Sequence, residues 1–313
     1  MKGLEISRKY YNEYGRPMLI EKFHDVFGKL AVGLVGSGSE CYGFDDEISR
    51  DHDFEPGFCI FIPDESEIDR RKEFLLERAY DSLPKEYLGL KRSLISPVGG
   101  SRHGVKRISD FYFEKTGSAD GELTADEWFR LPEYALFEAT NGEVFVDGYG
   151  LFTAIRGKLS RYPEDVFLKK LAGNILLMAQ SGQYNYPRCV RHCEPGAAQF
   201  AVFEFVKSCM QAVFLLNKRY MPYYKWSFRA MKELPVFSEL SGNLEYLIGT
   251  PNDGGLPEKK SEIIESISSA IIAYLVSSGL SGVSSDDLER HAYSVNDRIT
   301  DPNIRNLHIL YAV

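Results

Sequence analysis

A glycine- and serine-rich turn, Gly36-Ser37-Gly38-Ser39, directly follows the hydrophobic run LAVGLVG (30–36), which predicts a short buried strand. Where such a strand gives way to a helix, backbone N–H groups carry a partial positive charge, and glycine lets a phosphate approach closely. The hydroxyl group of Ser37 can add a hydrogen bond. We therefore predict that these four residues bind the phosphates of a ligand.

Two aspartates separated by one residue, Asp51 and Asp53, begin the next predicted strand, fourteen residues after Ser37. Side chains alternate along a strand, so both carboxylates share one face and His52 points to the other. At about 4 Å and an effective dielectric constant near 20, two like charges repel by on the order of 4 kcal/mol. A cation between them removes that cost, and Mg²⁺ prefers carboxylate and phosphate oxygens. Asp51 and Asp53 are therefore predicted to bind Mg²⁺ or Mn²⁺ in a site for phosphoryl chemistry.

The segment VGSGSECYGFDDEISRDHDFEPGFCIFI (35–62) resembles the signature of the DNA polymerase β-like nucleotidyltransferase superfamily. That signature is a glycine–serine pair after a strand, then a gap, then two acids that alternate with apolar residues. His52 departs from it, because the middle position is usually apolar. The longer string resembles an uncharacterised bacterial family related to the aminoglycoside and lincosamide nucleotidyltransferases. Weaker similarity continues through residues 142–145, 161–163 and 222–226.

The resemblance implies an α/β (α+β) fold, with a mixed sheet and flanking helices. It also implies transfer of a nucleoside monophosphate from a nucleoside triphosphate to a hydroxyl group, with Ser37 on the phosphates and Asp51 and Asp53 as catalytic metal ligands. We expect ATP as the donor and a small molecule as the acceptor. A non-catalytic nucleotide-binding module and a toxin- or antitoxin-type enzyme that modifies proteins remain alternatives.

The superfamily implies a third acid on a neighbouring strand, for which the sequence offers Glu138, Asp147 and Asp110. The weak strand predicted around 104–108 contains no carboxylate. Glu138 is preferred, because it lies in the strand-like run LFEAT and an acid among apolar neighbours is costly to bury without a role. It would be a general base for the acceptor hydroxyl or a further metal ligand.

The predicted elements divide the chain into a nucleotidyltransferase domain at 1–155 and a helical domain at 156–313. The first domain is predicted to contain helices at 4–28, 37–44 and 64–82, strands at 30–36, 54–63 and 103–109, a surface loop at 115–127, and a hairpin at 134–147 joined at Asn141-Gly142. The second is predicted to contain long helices at 164–182, 197–220 and 258–279. The resemblance implies that this helical domain closes over the substrates, and Lys225 is a candidate contact for the triphosphate.

The net charge is −8, from 45 acidic and 37 basic residues, which disfavours a long nucleic acid as a partner and ranks transfer to a tRNA end last. Five cysteines, an odd number in a chain of 313 residues, argue against a disulfide framework. The N-terminal segment has no apolar stretch typical of a signal peptide, and we expect no membrane span and a cytoplasmic location.

Overall fold

A mixed four-stranded sheet organises the first half of the chain, in a computed structural model that describes residues 1–48, 55–92 and 102–313. These residues form two compact units, Met1–Leu123 with Leu131–Ser160 and Thr124–Arg130 with Arg161–Val313. The strands are β1 (Ala31–Leu34), β2 (Cys59–Ile62), β3 (Glu86–Tyr87), β4 (Leu90–Lys91), β5 (Gly104–Arg107) and β6 (Glu143–Asp147). Helices separate and follow these strands along the chain, so the protein is of the mixed α/β class.

Helices are numbered along the whole chain. In the first unit they are α1 (Gly3–Tyr10), α2 (Arg16–Lys22), α3 (Ser39–Tyr42), α4 (Arg70–Asp81), α5 (Ile108–Thr116), α7 (Glu133–Thr140) and α8 (Leu151–Leu159). In the second they are α6 (Ala125–Arg130), α9 (Glu164–Met178), α10 (Tyr186–Arg191), α11 (Pro195–Leu216), α12 (Tyr224–Met231), α13 (Ser241–Gly249), α14 (Leu256–Ser277), α15 (Leu288–Asn296) and α16 (Pro302–Arg305). The boundary predicted between residues 155 and 156 falls within α8, all of which belongs to the first unit.

The strand order of the sheet is β5-β2-β1-β6. Strand β1 is antiparallel to both β2 and β6, and β2 is parallel to β5. The end of β1 that leads into Gly36 therefore lies beside the beginnings of β2, β5 and β6, and we call this the Gly36 end of the sheet. The last residue of β6, Asp147, pairs instead with Ala31 at the opposite end.

Helices α1 and α2 are joined by a π-helical turn at Tyr11–Gly15 and cover one face of the sheet. A methyl group on Gly15 would lie 2.3 Å from the ring of Phe58, so the glycine allows this close approach. The predicted helix at 4–28 ends earlier, at Lys22, because Phe23 leaves the helical region with φ −137° and ψ 31°. Its apolar residues nevertheless supply much of the core, including the fully buried Tyr10 and Leu19.

The predicted hairpin at 134–147 is wrong in its first half. Residues Glu133–Thr140 form helix α7, so Glu138 lies on a helix and not within a strand. The sequence EYALFEAT is rich in good helix formers and follows Pro132, which is compatible with a helix start. Only the second half is extended, and it forms β6 beside β1.

The predicted strand at 54–63 is shorter, because β2 begins at Cys59 and residues 55–58 are not part of a strand. Pro56 has no N–H to donate. A methyl group on Gly57 would lie 2.7 Å from the ring of His103, so the chain passes closely over that side chain. Asp51, His52 and Asp53, with the proposed metal ligands among them, lie outside the described residues.

The long helices predicted in the second half of the chain are present as α9, α11 and α14. Among the described residues, α11 is the one helix long and apolar enough to cross a membrane by length and composition alone. Of its most apolar window, 61% is buried inside the structure, and it packs against α9 and α13.

Candidate functional site

The turn after β1 exposes a serine between two glycines whose backbones occupy the left-handed half of conformational space. Gly36 has φ +99° and Gly38 has φ +116°, and side chains rarely adopt such values. The side chain of Ser37 is exposed between them. The sequence therefore places glycine where the backbone requires it, and leaves the hydroxyl group of Ser37 accessible to a ligand.

Asn141 braces this turn from the loop between α7 and β6. The backbone N–H of Gly36 donates to Oδ1 of Asn141 at 2.8 Å, and Nδ2 of Asn141 donates to the carbonyl oxygen of Gly36 at 2.8 Å. The next residue, Gly142, donates its N–H to the carbonyl oxygen of Cys41 at 3.1 Å. A methyl group on Gly142 would lie 2.2 Å from the carbonyl oxygen of Leu34, so the loop lies tightly against the turn.

Glu138 is held in a small polar cluster with Tyr42 and Lys115. The hydroxyl of Tyr42 donates to Oε1 of Glu138 at 2.7 Å, and Nζ of Lys115 donates to Oε2 at 2.9 Å. The side chains of Lys115 and Glu138 are 16% and 14% exposed, so solvent screens this ion pair only in part. A methyl group on Gly36 would lie 4.0 Å from Cε of Lys115, which places the lysine beside the turn.

The surroundings keep both donors of this cluster protonated. Burial, followed by the hydrogen bond to Glu138, raises the pKa of the Tyr42 hydroxyl well above its ordinary value. Burial opposes the charge of Lys115, but its hydrogen bond to Glu138 and the charges of Glu138 and Glu114 outweigh this effect and raise its pKa. At neutral pH the cluster therefore presents an ammonium group and a phenol to one carboxylate.

A second charged pair also contacts the turn. Nε of Arg102 donates to the carbonyl oxygen of Ser37 at 3.2 Å, and its guanidinium group pairs with Glu40, which is only 3% exposed. A methyl group on Gly38 would overlap the guanidinium group, so Gly38 is needed for this contact. Nearby, Nδ1 of His103 lies 3.4 Å from Oε1 of Glu55, at the same end of the sheet.

Of the three candidates for the third acid, Glu138 alone lies beside the turn. Asp147 ends β6 at the opposite end of the sheet and accepts hydrogen bonds from the backbone of Gly150 and Thr153, at the start of α8. Asp110 lies in the first turn of α5, beyond the last residue of β5, which pairs with Ile62 at that opposite end. The strand register therefore places Asp147, and the start of the helix that carries Asp110, at the end of the sheet opposite to Gly36.

Lys225 lies on α12 of the second unit, where its side chain is exposed and its Nζ is 5.2 Å from the ring centroid of Trp226. Ser39 is the first residue of α3.

Within the described ranges, no group of three or more His, Cys, Asp or Glu side chains is arranged to hold a metal ion. The carboxylates beside the turn, Glu40 and Glu138, each already have a cationic partner. The metal prediction therefore depends on Asp51 and Asp53, outside those ranges.

Sequence reasoning missed most of the residues that surround the turn. Lys115, Tyr42, Arg102 and Asn141 are separated along the chain, and no local spacing connects them. The Asn141-Gly142 pair did give a signal for a special backbone conformation, and Gly142 has φ +64°. Its partner is the turn at Gly36 and not a second strand beside it.

Comparison with known proteins gives one match. No curated protein and no solved structure resembles the chain significantly. The matched segment, residues 128–227, contains α7 with Glu138 and the loop with Asn141, and it takes residues from both units. About a third of the chain is thus similar to a family described as a domain of unknown function, DUF4037.

Proposed function

We propose that the protein is a Mg²⁺-dependent nucleotidyltransferase that moves a nucleoside monophosphate, with ATP as the expected donor, to a hydroxyl group of a small molecule. One observation carries this proposal. The Gly36 end of the sheet brings together an exposed serine between two glycines, the ammonium group of Lys115 and the carboxylate of Glu138. Glu55, the first described residue after the two predicted metal ligands, also lies at this end.

The resemblance implies a mixed sheet with flanking helices, and the described sheet is mixed. A strand that ends in the glycine–serine turn is followed by an antiparallel strand, and then by one parallel to the second. In this proposal the nucleotidyltransferase fold comprises β1, β2 and β5, with β6 added at the edge next to β1. Asp51 and Asp53 would then supply the carboxylate oxygens that Mg²⁺ prefers, and the metal would neutralise charge on the phosphates.

Ser37 and Lys115 are the proposed contacts for the triphosphate. The Ser37 hydroxyl is exposed, and Gly36 and Gly38 leave room for phosphate oxygens next to the backbone. Lys115 lies within reach of the same turn, and an ammonium group attracts phosphate as a compact point charge. If Lys115 turns from Glu138 to a phosphate, Oε2 of Glu138 loses its partner. Binding of the triphosphate would then free the carboxylate for its own role.

Glu138 is proposed as the acid that accepts the proton of the acceptor hydroxyl, or as a further metal ligand. Its glutamine variant tests this role, because Glu138→Gln keeps the shape and an acceptor for Tyr42 while it removes the charge. We expect transfer to fall by about 10²- to 10⁴-fold, the usual contribution of a general base. Asp147→Asn is the matched control, because Asp147 lies at the opposite end of the sheet and caps the start of α8.

The assay incubates the purified chain with each labelled nucleoside triphosphate, Mg²⁺ or Mn²⁺, and a panel of acceptors, and it measures pyrophosphate. Aminoglycosides, lincosamides and proteins belong in the panel. Release of pyrophosphate by the wild type and by Asp147→Asn, but not by Glu138→Gln, supports the proposal. Release that is equally fast in Glu138→Gln removes that residue from the mechanism, and the absence of both release and nucleotide binding refutes the proposal as a whole.

A non-catalytic nucleotide-binding module is the second candidate, and one observation favours it. Both carboxylate oxygens of Glu138 already accept hydrogen bonds, as in a structural ion pair. This alternative predicts that ATP with Mg²⁺ binds, as measured by calorimetry, while no acceptor supports turnover. It also predicts that Ser37→Ala weakens binding, whereas Glu138→Gln changes binding only through the position of Lys115.

A further inference from the structure

The first half of helix α11 exposes large apolar side chains. Phe200 is 77% exposed and Phe203 is 48% exposed, although the second half of the same helix is almost entirely buried. Tyr184, in the neighbouring π-helical segment Ala179–Asn185, is 60% exposed. Scattered exposed apolar residues are common on protein surfaces, but two phenylalanines at adjacent positions of one helix face form a continuous patch.

A groove of about 500 Å³ lies beside these rings. One wall is formed by Ser181, Asn185 and Cys189, and the other by Ala197, Phe200 and Ala201. Most of these side chains are small, so the groove has room for a large side chain from outside. A protruding aromatic ring and a groove able to receive one therefore lie next to each other on the same surface.

The charges on this face are also complementary to each other. Glu204 and Lys207 border the groove and lie one helical turn apart on α11. Neither forms an ion pair with another side chain in the part of the chain that the structure describes. A second α11 running in the opposite direction would bring the glutamate of each copy close to the lysine of the other.

We propose that this face of α11 binds a second copy of the same chain, as a symmetric dimer. In a twofold arrangement the same patch is used by both subunits, so each contact forms twice. Pairing of Glu204 with the lysine of the other copy centres the axis between residues 205 and 206, so the two charged pairs would lie nearest the axis, with Phe203 and then Phe200 of each copy farther out along the helices. Exposed aromatic side chains such as Phe200 and Phe203 are enriched in protein–protein interfaces.

The test is sedimentation equilibrium of the full chain over a wide range of concentrations. We expect the wild type to approach twice the chain mass of 35.5 kDa at high concentration. Phe200→Glu should raise the dissociation constant roughly tenfold or more, since buried aromatic residues carry much of the binding energy of such interfaces. Phe113→Glu is the matched control, because Phe113 is 61% exposed on α5 of the first unit and should leave the dissociation constant unchanged.

A charge exchange tests the arrangement of the pair. Glu204→Lys and Lys207→Glu should each weaken the dimer, because each creates repulsion between like charges across the axis. The double variant restores opposite charges and should recover most of the affinity. All of these residues are on the surface, so far-UV circular dichroism should report an unchanged fold. A wild type that has the mass of one chain at every concentration, or a double variant no better than the weaker single variant, overturns the proposal.

Discussion

Replacement of Asn141 by alanine tests whether the turn at Gly36 depends on its hydrogen bonds with the Asn141 side chain. The side chain makes two hydrogen bonds, both of 2.8 Å, to the N–H and carbonyl groups of one buried residue, Gly36. Each such bond contributes a net of about 0.5–1.5 kcal/mol, so Asn141→Ala should lower the free energy of unfolding by about 1–3 kcal/mol. Urea denaturation, followed by circular dichroism, measures this change.

The same variant should also weaken nucleotide binding. Without the two hydrogen bonds from Asn141, only a fraction of molecules keeps the left-handed conformation of Gly36 that the proposed phosphate site requires. If that fraction falls to between one half and one tenth, the apparent dissociation constant of ATP with Mg²⁺ rises about 2- to 10-fold. Isothermal titration calorimetry of wild type and variant measures the ratio directly.

Asn217 offers a matched control in the second unit. Its side chain makes the same pair of hydrogen bonds to one residue, donating to the carbonyl oxygen of Val236 and accepting from its N–H, both at 3.0 Å. Both asparagines are partly buried. Nδ2 of Asn217 also donates to the carbonyl oxygen of Val213 at 2.8 Å, so Asn217→Ala should cost at least as much free energy of unfolding but leave ATP binding unchanged. If Asn141→Ala weakens ATP binding no more than Asn217→Ala does, the Asn141 side chain has no part in the ligand site. A loss of less than about 0.5 kcal/mol in the free energy of unfolding of Asn141→Ala would contradict the expected stability change.

Three further predictions concern residues around the turn. Gly142→Ala should lower the free energy of unfolding, measured by urea denaturation, by about 2–3 kcal/mol, because its methyl group would lie 2.2 Å from the carbonyl oxygen of Leu34. The control, Gly157→Ala, lies in helix α8 with no atom within 4 Å of the new methyl group and should be neutral or stabilising. The pKa of the Lys115 ammonium group, followed by carbon-13 NMR, should lie above its ordinary value of 10.5. The ion pair with Glu138 therefore stabilises the fold fully below pH 10.5 and less as the pH rises through the raised pKa. Glu138→Gln should lower this pKa, and an unchanged pKa would exclude Glu138 as the cause. Lys115→Met should weaken ATP binding about tenfold and reduce the dependence of binding on salt. The control, Lys158→Met, removes an exposed lysine paired with Glu122 and should change neither quantity. Equal effects of the two variants would contradict a specific role for Lys115.

The parts of the fold that could be predicted from the sequence are those determined by neighbouring residues. The run 30–36 is apolar and ends in glycine, and β1 with its turn follows from that pattern. The helices α9 and α11 are apolar runs of 15 and 22 residues, which are too long for strands. In each case residues close together along the chain are enough to distinguish a strand from a helix.

The segment around Glu138 could not be predicted in this way. Its apolar and polar residues fit either a short strand or a helix, and length alone does not distinguish them. The Asn141-Gly142 pair correctly indicates a left-handed backbone, but a hairpin and the observed loop both satisfy that requirement. The distinction comes from Gly36, which is 105 residues away from Asn141 along the chain and to which its side chain binds. No local window contains that information.

The choice among the three acids depends on strand direction in the same way. Asp110, Glu138 and Asp147 are the same type of group, and each lies within or beside a predicted strand. Because β6 is antiparallel to β1, its last residue lies far from Gly36, while the residues just before its first residue lie close to it. Because β5 is parallel to β2 and antiparallel to β1, it ends at the far end of the sheet, and Asp110 lies in the first turn of the helix that starts there. Helix α5 then brings Lys115 back beside the turn. The direction of the strands, and not the chemistry of the side chains, therefore distinguishes Glu138 as the candidate acid that lies beside the turn at Ser37.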